Sequence, residues 1–134
     1  MKSSDGTKEL IWNRPIEAII MSELPTINRC VLMVMPKKPY FDWANSLQST
    51  YVIIEPDDTL SPSSYLLPDF EDEEDVEKFI SKKFRIIFAN ELSAWTSNES
   101  EWPTQLTYKV FKDWFDIHVS TMVFDLGKNG IEVV

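Results

Sequence analysis

The chain holds one cysteine and one histidine, Cys30 and His118, so thiol–imidazole chemistry has a single candidate pair. A cysteine nucleophile needs a base within hydrogen-bond reach to take its proton. The surroundings of both residues argue against such a pair. Cys30 opens the apolar run "CVLMVM", where a thiol most simply serves as a small core side chain. His118 alternates with Asp116 and Ser120, which places it on the polar face of a strand. A surface or structural histidine is the simpler reading there, ahead of a ligand or proton-transfer role. One cysteine cannot form an internal disulfide, and no Cys/His grouping has zinc spacing. No catalytic residue, metal site or cofactor is assigned on these grounds.

Carboxylates are the other chemically active group. The tract "DFEDEEDVE" puts Glu71 and Asp75, and likewise Glu73 and Glu77, one helical turn apart, a spacing that could hold a divalent cation or a basic partner. An EF-hand loop needs glycine at its sixth position, and no glycine occurs between Gly6 and Gly127. The same gap removes phosphate-cradling loops and dinucleotide fingerprints, which need close backbone approach. A nucleophile elbow is absent as well. The simpler reading of the acidic tract is a solvated helix start, where negative charge complements the helix dipole.

Charge and length bound the partners. With 13 basic and 22 acidic residues the net charge is −9, so the average field repels a phosphate backbone and nucleic acid is excluded as a partner. The stretch "IEAIIMSEL" is interrupted by Glu17 and Glu23; it is too short to span a bilayer and makes a poor signal peptide. The expectation is a soluble, cytoplasmic protein without a membrane partner. At 134 residues one domain is expected, with residues 1–27 an extension and residues 28–134 a single α+β domain. In the extension, Ile16, Ile19, Ile20 and Leu24 would share one face of a short helix starting near Pro15. Such a helix could dock on the domain or on a second copy, so a homodimer stays open.

The elements that must position these groups follow from periodicity. "CVLMVM" reads as a central strand covered on both faces. Tyr40, Trp43, Ala44 and Leu47 mark a short helix behind Pro39, and "STYVIIEPDD" a second strand. "SYLL" is a short third strand. The spacing of Val76, Phe79, Ile80, Phe84, Ile87, Phe88, Leu92 and Trp95 predicts a long helix. A second helix with Val110, Phe111 and Trp114 inward then leads to a last strand over Ile117–Leu126, ended by Gly127. This is a βαββαβ, ferredoxin-like order with the second helix doubled: one sheet of three to four strands packed against helices. The last strand should run antiparallel beside the first, with residue 30 near 124–126 and His118 near 34–36.

Eight Phe, five Trp and four Tyr are more aromatic residues than these faces use. Trp102, Tyr108 and Phe41 have no inward place, and Trp and Tyr commonly anchor interfaces. Trp102, Tyr108, Glu99 and Glu101 are therefore the candidate partner-binding residues, on a loop that should present the Trp102 ring to solvent. The function expected is a non-catalytic protein–protein interaction or regulatory module that could neutralise a basic partner. The alternative is a small enzyme or ligand- or metal-binding domain using carboxylates with His118. A pocket gathering His118 with acidic side chains would favour that alternative; a flat aromatic patch would favour the module.

The stretches "CVLMVMPKKPYFDWANSL", "DEEDVEKFISKKF" and "WPTQLTYKVFKDWFDIHVSTMVFDL" together resemble a family of small bacterial proteins with no assigned activity. The resemblance covers about residues 28–126. It implies a free-standing cytoplasmic domain and carries over no catalytic residue.

Overall fold

The computed structural model describes residues 24–47 and 62–134. The chain divides into two units, Arg29–Thr121 and a second formed by Met1–Asn28 with Met122–Val134. The larger unit is α+β. Its elements are β1 (Cys30–Pro36), α1 (Lys38–Ser46), β2 (Ser63–Leu67), α2 (Glu73–Ser93), a 3-10 turn (Glu99–Glu101), α3 (Tyr108–Trp114) and β3 (Phe115–Ser120). The strand expected in "STYVIIEPDD" lies outside the described residues, as does the N-terminal helix up to Glu23.

The three strands form an antiparallel sheet in the order β2-β1-β3, so β1 is central as its apolar run requires. Cys30, Leu32 and Val34 alternate toward the helices and are fully buried. Val31 and Met33 are half-buried on the opposite face, and Met35 there is exposed. The expectation that β1 is covered on both faces is thus corrected: among the described residues the helices pack on one side of the sheet. An apolar run cannot reveal this by itself, because outward strand residues are partly shielded by their own neighbours in the sheet.

Each helix begins where the local chemistry allows. Pro39 stands in the first turn of α1, where its missing N–H costs nothing. Asp72 caps α2 by accepting from the Glu74 N–H, and Glu73, Glu74 and Asp75 fill the first turn, matching the positive end of the dipole. The Thr107 hydroxyl caps α3 by accepting from the Val110 N–H. At its other end α3 passes into β3 without a loop: Trp114 ends the helix and Phe115 begins the strand.

One aromatic cluster joins these parts. Phe88 of α2 is fully buried, with its ring centre 5.7 Å from Phe111, 5.6 Å from Trp114 and 5.6 Å from Phe115. Tyr40 of α1 reaches the same place, 5.1 Å from Phe115. Phe41, which the helical spacing leaves outside the core, is buried with Ala44 against Trp43 and Trp95. Phe79 and Trp95 are half-buried at the margins of the core.

The last strand differs from its expected span and register. It starts at Phe115, ends at Ser120, and pairs Val31 with Ser120, Met33 with His118 and Pro36 with Phe115. His118 therefore lies opposite Met33 rather than residues 34–36. A backbone bond from the Lys37 N–H to the Trp114 carbonyl, 2.8 Å, continues this pairing to the point where α3 ends. Cys30 and His118 are three residues out of register, roughly 10 Å along the strand. They also point to opposite faces, since Cys30 shares the Leu32 face and His118 the Met33 face. The thiol is closed in locally by the Phe70 backbone, whose N–H donates to Sγ at 3.4 Å.

In the smaller unit, Thr26 bridges to Phe124, with the Ile27 N–H bonded to the Val123 carbonyl and the Asp125 N–H to the Pro25 carbonyl. Phe124 thus meets Thr26 and not residue 30. The Asp125 carboxylate accepts from the Gly127 N–H at 2.8 Å and turns the chain there.

Two outcomes are expected. Phe88→Ala should lower stability by about 3 to 5 kcal/mol, as a large-to-small change in a packed core, whereas Lys82→Ala on the exposed face of α2 should be nearly neutral; denaturant midpoints compare them, and equal midpoints would overturn the packing described. Cys30, with no exposed surface, should react with a thiol reagent only as fast as the protein opens, so labelling of the folded protein at the rate of a free thiol would contradict its burial.

A candidate binding groove between the long helix and the last strand

Glu73, Val76, Glu77 and Ile80 follow one another at i, i+3, i+4 and i+7 along α2, so they form a single stripe. Val76 and Ile80 are buried and the two carboxylates are exposed. Across from them run Ile117, His118 and Val119 of β3, and together these seven residues line a recess of about 320 Å³. Its floor is aliphatic. Its rim carries two carboxylates on the helix side; on the strand side it is bordered by His118, whose side chain shares the Met33 face, turned away from the helices. A volume of that order suits a small ligand or one large side chain.

The shape follows from the elements. Alternate residues of a strand point to opposite faces, yet three consecutive residues of β3 border the recess. It therefore reaches the strand's edge as well as the helix-facing side. Among the described residues no strand pairs with that edge.

Glu77 is held by the neighbouring helix. The Tyr108 hydroxyl donates to Glu77 Oε2, and the Tyr108 ring lies parallel to Phe111 and 5.4 Å from Phe84. The Lys112 ammonium sits 4.6 Å from the same ring, within cation–π range. Burial of the phenol, and then its bond to the Glu77 carboxylate, push the Tyr108 pKa well above the usual tyrosine value. The side chains of Glu73 and His118 have no hydrogen-bond or ion-pair partner among the described residues, and the ion pairs of Lys37, Lys38 and Lys109 go to Asp116, Asp42 and Asp113. None of these three lysines pairs with the acidic tract. No three His, Cys, Asp or Glu side chains among the described residues converge as a metal would require.

The residues selected from the sequence for partner binding take separate positions. Glu99 is exposed in the 3-10 turn. Glu101 is half-buried; its carboxylate accepts from the Thr96 hydroxyl at 2.7 Å, and its carbonyl from the Trp43 indole N–H at 2.9 Å. Trp102 is extended, as Pro103 dictates, but its ring does not project. It packs against the core, and its indole N–H donates to the Thr96 carbonyl at 3.0 Å. Of the four, Tyr108 is tied to the groove, through Glu77.

A second polar group escaped the sequence reading. Glu91 is 7 % exposed, and accepts from the Tyr65 hydroxyl through its carboxylate and from the Tyr40 hydroxyl through its carbonyl at 2.6 Å. Asn90 donates to the Tyr65 oxygen at 2.9 Å. Burial first, and the nearby Glu91 second, raise both tyrosine pKa values. The signal was present in the helical spacing, since Glu91 follows Phe84 and Phe88 at i+7 and i+3.

Raised tyrosine pKa values set an alkaline dependence of stability. Tyr40, Tyr65 and Tyr108 keep their protons in the folded protein at pH values where the unfolded chain releases them. The fold then binds more protons than the unfolded state, and stability must fall as pH rises. Full stability is expected below pH ~10, the ordinary tyrosine value, with progressive loss above it. Tyr→Phe at position 65 should reduce that loss; phenolate absorbance and denaturant midpoints across the alkaline range measure both, and a midpoint independent of pH there would contradict the linkage.

Set against known proteins, the chain matches no family model, no curated protein and no solved structure.

Proposed function

We propose that the protein is a non-catalytic binding module that captures a cationic group of a basic partner in the groove between α2 and β3. The observation that carries this reading is a recess with an aliphatic floor and two carboxylate rims, Glu73 and Glu77, in a chain of net charge −9. Such a surface suits a positively charged head on an apolar stem, as in lysine, arginine or an alkylamine. The stem covers Val76 and Ile80 while the head meets the carboxylates. In this reading the site belongs to the acidic face of α2, and Trp102 and Glu101 serve to hold the loop that precedes α3. The protein acts in the cytoplasm, as a regulatory or neutralising partner.

A second reading, a small ligand-binding or proton-transfer domain, rests on His118 bordering the same recess, although its side chain shares the Met33 face. The fold proposed for either is the full βαββαβ order. The described order β2-β1-β3, antiparallel throughout, is the one that arrangement needs.

Calorimetric titration with a short lysine-rich peptide tests the proposal. Glu73→Gln with Glu77→Gln should weaken binding by about tenfold or more, equivalent to about 1.4 kcal/mol. Glu99→Gln should change it little, and added salt should weaken it further. Equal affinities for the double variant and the parent protein would refute the site.

A further inference from the structure

The geometry points to β-strand addition: a basic segment of the partner lies extended along the edge of β3 that no described strand pairs with and directs alternate cationic side chains into the recess. This rests on the cation-binding reading above and specifies how the partner is held.

Three observations converge on it. The recess is bordered by Ile117, His118 and Val119 in succession, so it opens onto the main chain of β3 and not only onto one face. In a strand paired on one side, alternate residues direct both N–H and C=O to the open side, and these groups can template a further strand. Exposed edges are commonly blunted by proline, by lysine or by a bulge. β3, "FDIHVS", contains neither proline nor lysine, and its pairing with β1 runs without a bulge. The wall opposite is α2, which offers Glu73 and Glu77 one turn apart, about 5.4 Å along the axis. Same-face side chains of an extended peptide repeat at roughly 6.7 Å, so residues i and i+2 can address the two carboxylates together. Helix on one side, strand edge on the other and an apolar floor between them form a cleft for an extended chain.

Charge selects the occupant. A second copy pairing edge to edge would bring two acidic tracts, Asp69 to Glu77 of each, against one another, and like charges in such contact are unfavourable. A basic peptide relieves the same charge.

The test uses the full chain and three probes: the peptide acetyl-Lys-Thr-Lys-Thr-Lys-amide, its two forms N-methylated at alternate residues, and N-acetyl-lysine methylamide. The parent peptide should bind. N-methylation of the residues whose N–H groups face β3 should weaken binding about tenfold or more, methylation of the other set should leave it largely intact, and the single lysine amide should bind far more weakly than the peptide. Amide exchange within Ile117–Val119 should slow in the peptide complex. If both methylated forms bind as the parent does while Glu73→Gln with Glu77→Gln still abolishes capture, strand addition is wrong and the cation site stands. If no probe binds, both readings fall. A sedimenting mass of two chains, with the β3 amides protected in the absence of peptide, would assign the edge to a second copy and overturn the proposal.

Discussion

The packing of the Phe88 ring against Phe111, Trp114 and Phe115 is the contact on which the rest of the larger unit depends. It joins the long helix to the corner where α3 becomes β3. Because no loop separates α3 from β3, fixing the rings of Phe111 and Phe115 fixes where the strand begins. The pairing of Pro36 with Phe115 then sets every later partner along β1. A shift of one residue would turn Ile117 and Val119 away from the helix. The groove exists because this aromatic corner holds α2 and β3 in one register. A close-packed interior has few alternatives to that arrangement.

The two ends of α2 treat acid in opposite ways. Near its C-terminus Glu91 is enclosed; the Tyr65 hydroxyl offsets the desolvation of its carboxylate and the Tyr40 hydroxyl binds its backbone carbonyl, both tyrosines remaining protonated in the fold. Such a network specifies one arrangement of α1, β2 and α2, since removal of a partner would leave a buried polar group unsatisfied. At the N-terminal end, Glu73 and its neighbours stand in water with the helix dipole and the Asp72 cap as their main compensation. Their mutual repulsion is tolerated because solvent screens it. A cation placed among them would relieve it, so binding and stability are coupled with the same sign. Tyr108 links the regions by fixing Glu77 while its ring rests on the aromatic core.

The local pattern of the chain determined a good deal. The three-four spacing of apolar residues named most of the buried face of α2, and the apolar run at Cys30 identified the central strand. Proline, Asp72 and Thr107 marked helix starts through their own backbone chemistry. These features depend on residues within a turn or two of each other, which is why they can be read directly. The antiparallel partnership of the first and last strands, and the separation of Cys30 from His118, followed from element order.

What required the tertiary structure was the identity of the distant neighbour. Periodicity shows that Trp102 precedes a proline and lies in a polar loop, but the Thr96 carbonyl that accepts its indole N–H turns the ring inward. Spacing places Glu91 on an inward face, yet only the arrival of Tyr65 from β2 makes a buried carboxylate tolerable there. The register of β3 was set by an aromatic contact with a helix more than twenty residues earlier. Glu77 and His118, about forty residues apart, meet at one recess for the same reason. Local sequence specifies which side of an element seeks cover, and long-range packing decides what covers it and what is left open.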